Sequence, residues 1–467
     1  MQASEGSKAS DSNGLPCRRR GVLQLPAGLL TNVIRIWIPL EHQETFVYGD
    51  NEEIVPMWHT RKRASHVNQT WRCAMESDPI IGQSQCHILS QNLPVLLNSK
   101  LTIRHLILRY CYNREFIRSE HRLKHGISEE TTLRAVSSLA TLEHLTLRGF
   151  KCPAMDLSVL HHLPHLASLS IECNPDPQQL LHMMDLQRLA CMPTLSVLRL
   201  DQFPTIDCAS LVSPRRNSLT ALIIRGCTQM ENTTCLGELN GIQNLTLRYS
   251  SRLPSVSFLV HLSASLTCLD LNHSLAANVD LTPLEGLIQL NSLSLQATNN
   301  NISSVGKLTA LQHLNLNSSA LSDLNPLSTL IHLKSLNLDW CVLVSDITPL
   351  AHLSSLTSLR LKQCWGITNL DGINTAVHLQ ELHLTGCAAI TDISPLRLCN
   401  MLTKLCLGFC TGITDISPLS SCQALRKLLL CGCTGVTDLS PIAYQKLNGL
   451  DYETDIVYLP RFLKGFI

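Results

Sequence analysis

The chain is poor in the side chains that usually carry chemistry. Aromatic residues make up 4% and charged residues 16% of its 467 positions, and the net charge is +1. So small an excess of charge gives no field for nucleic acid or an anionic membrane. So few aromatics require an aliphatic core. No apolar run reaches the roughly 20 residues that a membrane-crossing helix needs. The opening MQASEGSKASDSNGLPCRRR is polar and lacks the apolar stretch of a signal peptide. No Gly-x-Gly-x-x-Gly, Walker or Gly-x-Ser-x-Gly pattern occurs, and no set of titratable residues converges. The expectation is therefore no catalytic residues, no cofactor and no enzyme activity.

Leucine and cysteine are what the sequence has in quantity. Hydrophobic residues make up 45% of the chain and there are 20 cysteines. In a long chain without a secretion signal the thiols read as reduced, and the expected place is the cytoplasm or the nucleus. RRR at 18–20 and RKR at 61–63 are short candidates for a nuclear signal.

The leucines are periodic. The pattern L-x-x-L-x-L-x-x-C fits Leu356, Leu359, Leu361 and Cys364, then recurs from Leu379, Leu402 and Leu425, a period of 23 residues. Earlier units start at Leu333, Leu311, Leu290, Leu266, Ile242, Leu219, Leu195, Leu166, Leu142 and Ile103, and an imperfect one ends the array at Leu447, Leu450 and Tyr452. Alternating leucines give a short strand with one apolar face. The cysteine column (Cys111, Cys227, Cys341, Cys364, Cys387, Cys410, Cys433) supplies a compact hydrophobe with a weak donor, and polar or aromatic residues replace it elsewhere. These seven thiols are expected to be structural.

A second motif, Asp-x-Ser/Thr-Pro-Leu, recurs around Asp280, Asp346, Asp392, Asp415 and Asp438, and as Asp323-Leu-Asn-Pro-Leu. Its Ser, Thr or Asn just ahead of proline reads as a helix cap, with the hydroxyl or amide oxygen accepting free amides. Each repeat then turns back through a short, 3₁₀-like helix. "SEETTLRAVSSL" from Ser128 and "DPQQLLHMMDLQRLA" at 176–190 read as longer convex helices, and 112–126 as an exposed charged loop.

Period and strand motif together identify a leucine-rich repeat. The fold class expected is α/β: a curved solenoid of about fifteen units, with short parallel strands on the concave face and short helices on the convex one. Residues flanking the inward leucines face the concave side. One column there runs Arg109, Arg148, Glu172, Asp201, Arg225, Arg248, Asn272, Gln296, Asn317, Asp339, Lys362; beside it lie Tyr110, Tyr249 and Trp340, with Arg199, Arg360 and His383 at strand centres. Arginine with exposed Tyr or Trp is the composition of interface anchors. The candidate target-binding residues are Arg225, Arg248, Tyr249, Trp340, Arg360 and Lys362.

Residues 21–75 do not fit the repeat. "LQLPAGLLTNVIRIWIPL" spaces Leu29, Leu30, Val33, Ile34 and Trp37 as one short amphipathic helix, and "RKRASHVNQTWRCAM" spaces Ala64, Val67, Trp71 and Met75 as another. Leu25, Pro26, Leu29, Leu30 and Val33, then Val67, Trp71 and Arg72, resemble the F-box pattern. That resemblance implies the substrate-recognition subunit of an SCF-type cullin–RING ubiquitin ligase. In it Leu25, Pro26, Leu29, Leu30, Val33, Val67 and Trp71 hold the adaptor subunit, the repeats hold a protein target, and the chain is a monomer within the complex. The connecting segment 41–62 departs from the family by its length. The alternative is a helical cap on a leucine-rich-repeat scaffold without a ubiquitin role. The repeats also resemble the cysteine-type repeats of trypanosomatid proteins and the Asp-x-Ser-Pro-Leu units of bacterial internalins. The organisation expected is a disordered terminus at 1–20, the F-box-like segment at 21–75, a linker or cap at 76–100, repeats at 101–450 and a tail at 451–467.

Metal binding is not expected. Cys406 with Cys410 and Cys431 with Cys433 put one thiol on the concave strand and one inside, so neither pair converges, and His161-His162 falls on a convex segment.

Overall fold

A strand whose one face is leucine cannot stand alone in water; it needs identical strands on either side. In the computed structural model the described residues are 34–35, 86–89, 104–109, 129–150, 157–173, 186, 189, 192–212, 218–227, 229–250, 252–296 and 301–443. Sixteen strands form one parallel sheet, and each pairs with the next in chain order. A separate two-stranded sheet, Thr205–Asp207 with Gln229–Glu231, lies outside that order and was not foreseen. The fold is the expected leucine-rich-repeat solenoid.

The leucines set the register. Leu336, Leu359, Leu382, Leu405 and Leu428 are partners on five consecutive strands, and the first four are at most 1% exposed. They belong to one apolar core that runs from Leu106 to Val436. Fully burying one leucine is worth about 1.5–3 kcal/mol, which each strand obtains only with its neighbours present.

The cysteine column is a ladder of thiol donors. Sγ of Cys341, Cys364, Cys387 and Cys410 donates to the carbonyls of Leu316, Leu338, Leu361 and Leu384 in the preceding repeat, at 3.0–3.1 Å. Cys433 donates to Leu407 at 2.8 Å. Each of these carbonyls also receives the ladder amide of its own repeat, as Leu316 does from Ser319 and Leu361 from Cys364. The thiol fills the second lone pair and ties one repeat to the next. Ser274 takes the same role towards the Leu247 carbonyl. Cys227 departs from the pattern and bonds locally, to Gln229, whose carbonyl follows in the small extra sheet. A second thiol column, Cys399 and Cys422, points to the carbonyls of Ile373 and Leu396 on the helical side. Burial pushes the Cys387 thiol up to about 11 and that of Cys410 to about 12, so neither is a nucleophile near neutral pH. The fourteen described cysteines from Cys173 onward are all free.

The convex turns correct the expected capping. The 3₁₀ segments Thr282–Leu284, Asn325–Thr329, Thr348–His352, Ser394–Leu398 and Ser417–Ser421 carry proline in their first turn, as expected, but no side chain caps them from the cap position. The acceptor is the aspartate. Asp346, Asp392, Asp415 and Asp438 each accept both the amide and the hydroxyl of the residue two further on, at 2.7–2.9 Å. Ser and Thr donate there, because a carboxylate is the stronger acceptor at the turn. Those bonds hold the four carboxyls below the usual carboxylate range.

The helix expected after Ser128 forms as Glu129–Val136, with Leu133 and Val136 buried. Of the stretch 176–190, Leu186 and Leu189 are described, both buried. Ile34 and Arg35 differ from expectation. Placed in a helix by apolar spacing, they form a strand paired with Cys86 and His87. Ile34 is β-branched, and pairing satisfies backbone groups along the sheet edge. The sheet thus extends two strands ahead of residue 101. The other F-box-like residues, Cys111, loop 112–126 and the unit at Leu447–Tyr452 lie outside the described residues. No described helix is long and apolar enough to cross a membrane.

The ladder can be tested in urea melts. Cys387→Val keeps the volume, loses the donor and should cost about 1 kcal/mol. Cys387→Ser, which matches the native serine positions, should cost less. Equal loss in the two variants would mean that the thiol only fills space.

Candidate functional site

Strand register places the outward side chains on the concave face in rows. Arg148, Glu172, Asp201, Arg225 and Arg248 are successive partners across five strands, so the expected column is real over that span. A second row runs Asn315, Asn337, Arg360, His383, Cys406. The six candidate target-binding residues fall into two groups. Four strand spacings, about 19 Å, separate the strand of Arg248 from the one that precedes Trp340.

The first group is Arg225, Arg248 and Tyr249. The Arg248 guanidinium lies 5.0 Å from the Tyr249 ring centroid, and its Nη2 donates to the Tyr249 hydroxyl at 3.5 Å. Tyr249 stacks on His273, with ring centres 4.8 Å apart and planes 7° apart. Both arginine Nε atoms are buried without a partner.

In the second group Arg360 is already engaged. Its Nε and Nη2 donate to Asp339 at 3.0 and 2.6 Å, and the other Asp339 oxygen accepts the Lys362 amide. The pair holds Arg360 in place more than it frees it for a partner. Next to it His383 is 5% exposed. Its Nε2 is 3.8 Å from Glu381, and its Nδ1 has no partner. Burial, then the charges of Lys404, Arg360 and Lys362, push its pKa down to about 4 against the opposing pull of Glu381. Sequence reasoning placed His383 on the concave face but missed its burial. Cys406, expected on that face, is likewise buried.

The backbone conformation at the position just before each ladder residue was also missed. It is left-handed in repeat after repeat: φ is 66° at Gly226, 86° at Gly386 and 74° at Gly432. Here a Cβ on Gly432 would lie 2.5 Å from the Phe409 ring. Yet the same position holds Tyr249 at φ 52°, Trp340 at 65° and Phe409 at 58°, each more than half exposed. A left-handed backbone costs a side-chain-bearing residue about 1–2 kcal/mol. Trp365 stands exposed nearby, its Nε1 donating to Gln363. The glycines in this column were the available signal.

One set of potential metal ligands arises from register. His105, Glu143 and His144 have donor atoms within 4.8 Å of one another. The two imidazoles are stacked 4.1 Å apart at 13°, and Arg104 holds Glu143 at 3.5 Å. They could ligate one ion only by turning out of the stack. A search for spaced pairs along the sequence had no means of finding them, since the strands bring them together.

No protein-family model matches the chain, and no curated protein matches it. Among solved structures, an internalin (InlF) of Listeria monocytogenes is 23% identical over 68% of this chain and 91% of its own, with a TM-score of 0.54. A leucine-rich-repeat protein of Leptospira interrogans is 20% identical over 74% and 88%, at 0.49. The functional domain of InlJ from Listeria monocytogenes, described as including a cysteine ladder, is 18% identical over 65% and 64%, at 0.42. The likeness to InlF is a likeness of fold.

His383 makes a pH prediction. Its folded pKa lies below the unfolded value, so the unfolded chain binds the proton first as pH falls from about 6.5 towards 4. Stability contributed by neutral His383 is present above that window and lost within it. His383→Gln should flatten the stability profile between pH 6.5 and 4 in urea melts. An unchanged slope would show that His383 titrates as an exposed imidazole.

Proposed function

We propose that the chain is a non-catalytic protein-binding scaffold that presents its concave face to a protein target. One observation carries the reading: Tyr249, Trp340 and Phe409 are large, exposed and set on a left-handed backbone. Glycine, which suits that position better, fills it in four other repeats (Gly149, Gly226, Gly386, Gly432), and the smaller or polar Gln202, His273, Ser318 and Gln363 fill it in four more. Aromatic side chains held there at a cost to the fold fit contact with a partner, where buried Tyr and Trp dominate binding energy.

The finer reading is the substrate-recognition subunit of an SCF-type ubiquitin ligase in the cytoplasm. Its support is the F-box-like sequence alone, Leu25, Pro26, Leu29, Leu30, Val33, Val67 and Trp71, with no residue of the chain assigned to catalysis. In this reading those residues dock the adaptor and the Arg248–Tyr249 and Trp340–Lys362 groups hold the target. The alternative is a regulatory scaffold without a ubiquitin role.

Affinity capture from cells separates the two. The intact chain should recover cullin and adaptor, and Pro26→Ala/Leu30→Asp should lose both while retaining the target. Tyr249→Ala/Trp340→Ala should do the reverse, weakening the target on the order of a hundredfold. Recovery of a target without cullin or adaptor would leave the scaffold reading. Target recovery indifferent to Tyr249 and Trp340 would remove the concave face as the binding surface.

A further inference from the structure

Of the five concave-strand arginines from Arg148 onward, all but two have a carboxylate. Arg148 has Glu172 at 3.5 Å, Arg199 has Asp201 at 2.5 Å and Arg360 has Asp339 at 2.6 Å. Arg225 and Arg248 have none among the described residues. They are register partners, directly opposite on adjacent strands, the arrangement in which like charges repel. Asp201 is the register partner of Arg225 on its other side. One of its oxygens is committed to Arg199, and the other is buried without a partner. Both arginine Nε atoms are also buried and unpartnered. A merely solvated face would be expected to follow the neighbouring pattern, with an acid set against each base. Here two arginines occupy opposite register positions, and Tyr249 with the stacked His273 lies beside Arg248.

We infer that Arg225 and Arg248 form the seat of an oxyanion carried by the partner protein, a carboxylate or phosphate group on a peptide side chain. Guanidinium groups pair with such oxyanions through parallel N–H donors. One oxyanion bridging the two would replace their repulsion with two attractions, and the Tyr249 hydroxyl lies within reach of the Arg248 end. The inference rests on the proposed binding role of the concave face and adds the chemistry that it reads.

The test uses the full chain at fixed ionic strength, with chloride exchanged for inorganic phosphate or for acetate. Either oxyanion should raise the thermal midpoint of the native chain and leave that of Arg225→Gln/Arg248→Gln unmoved. Without added oxyanion the variant should unfold no lower than the native chain, because the repulsion is gone. A fluorescent peptide carrying one phosphoserine, with glutamate and serine counterparts, then identifies the source. Phosphoserine alone binding assigns phosphate; phosphoserine and glutamate both binding assigns any oxyanion. The double variant should weaken binding by on the order of tenfold or more.

Equal midpoint shifts in native chain and variant, the general effect of an excluded salt, would overturn the inference, as would no shift in either. Binding of oligouridylate in place of the peptides would overturn the assignment to a protein. Capture of a target that needs Trp340 but neither arginine would refute the oxyanion seat while leaving the concave face a binding surface.

Discussion

Register between neighbouring strands is the constraint on which everything else in this molecule depends. Side chains alternate from one face of a strand to the other, so a slip of one residue would put leucines in water and charges in the core. Leu336, Leu359, Leu382, Leu405 and Leu428 lie opposite one another, and the outward residues between them are thereby fixed in rows. The thiol ladder reinforces the same alignment from inside, since each Sγ reaches back to a carbonyl one repeat earlier. On the other side, aspartate turns close four of the later repeats without calling on their neighbours. Core, ladder and turn agree at every level, the condition under which a sequence specifies one fold.

Against that agreement the disagreements are local. Aromatic residues sit where the backbone suits glycine, two arginines oppose each other without an acid, and a buried histidine lacks a partner at Nδ1. All three lie on or beside the concave strands. The convex side, where Asp392 and Asp415 are fully served by Ser394 and Ser417, shows none of the three among the described residues. Departures from local consistency gathered on one face are what a surface shaped by a partner would leave behind.

The fold was legible from the sequence because a 23-residue period and a Leu-x-Leu strand are local signals repeated many times. The proline starts and five of the seven ladder cysteines were read correctly for the same reason. The caps were read with the right residues and the wrong acceptor: Ser394 and Asp392 compete for one role, and only geometry shows which oxygen receives the amide. The pairing of Arg360 with Asp339, the burial of His383 and the meeting of His105 with His144 each depend on a neighbour 20 or more residues away. They were invisible until register was known. The left-handed column was within reach, since Gly226, Gly386 and Gly432 recur just ahead of a ladder cysteine, but its meaning lay in the repeats where glycine is absent.

The central claim is that the concave aromatics are kept for a partner at the expense of the fold. The most direct measurement is on the triple variant Tyr249→Gly, Trp340→Gly and Phe409→Gly, comparing its urea midpoint and its retention of whatever target the native chain captures. The account predicts a midpoint equal to or above the native one, together with loss of the target. A lower midpoint with the target retained would contradict it, and would make these side chains packing for the turns they cover.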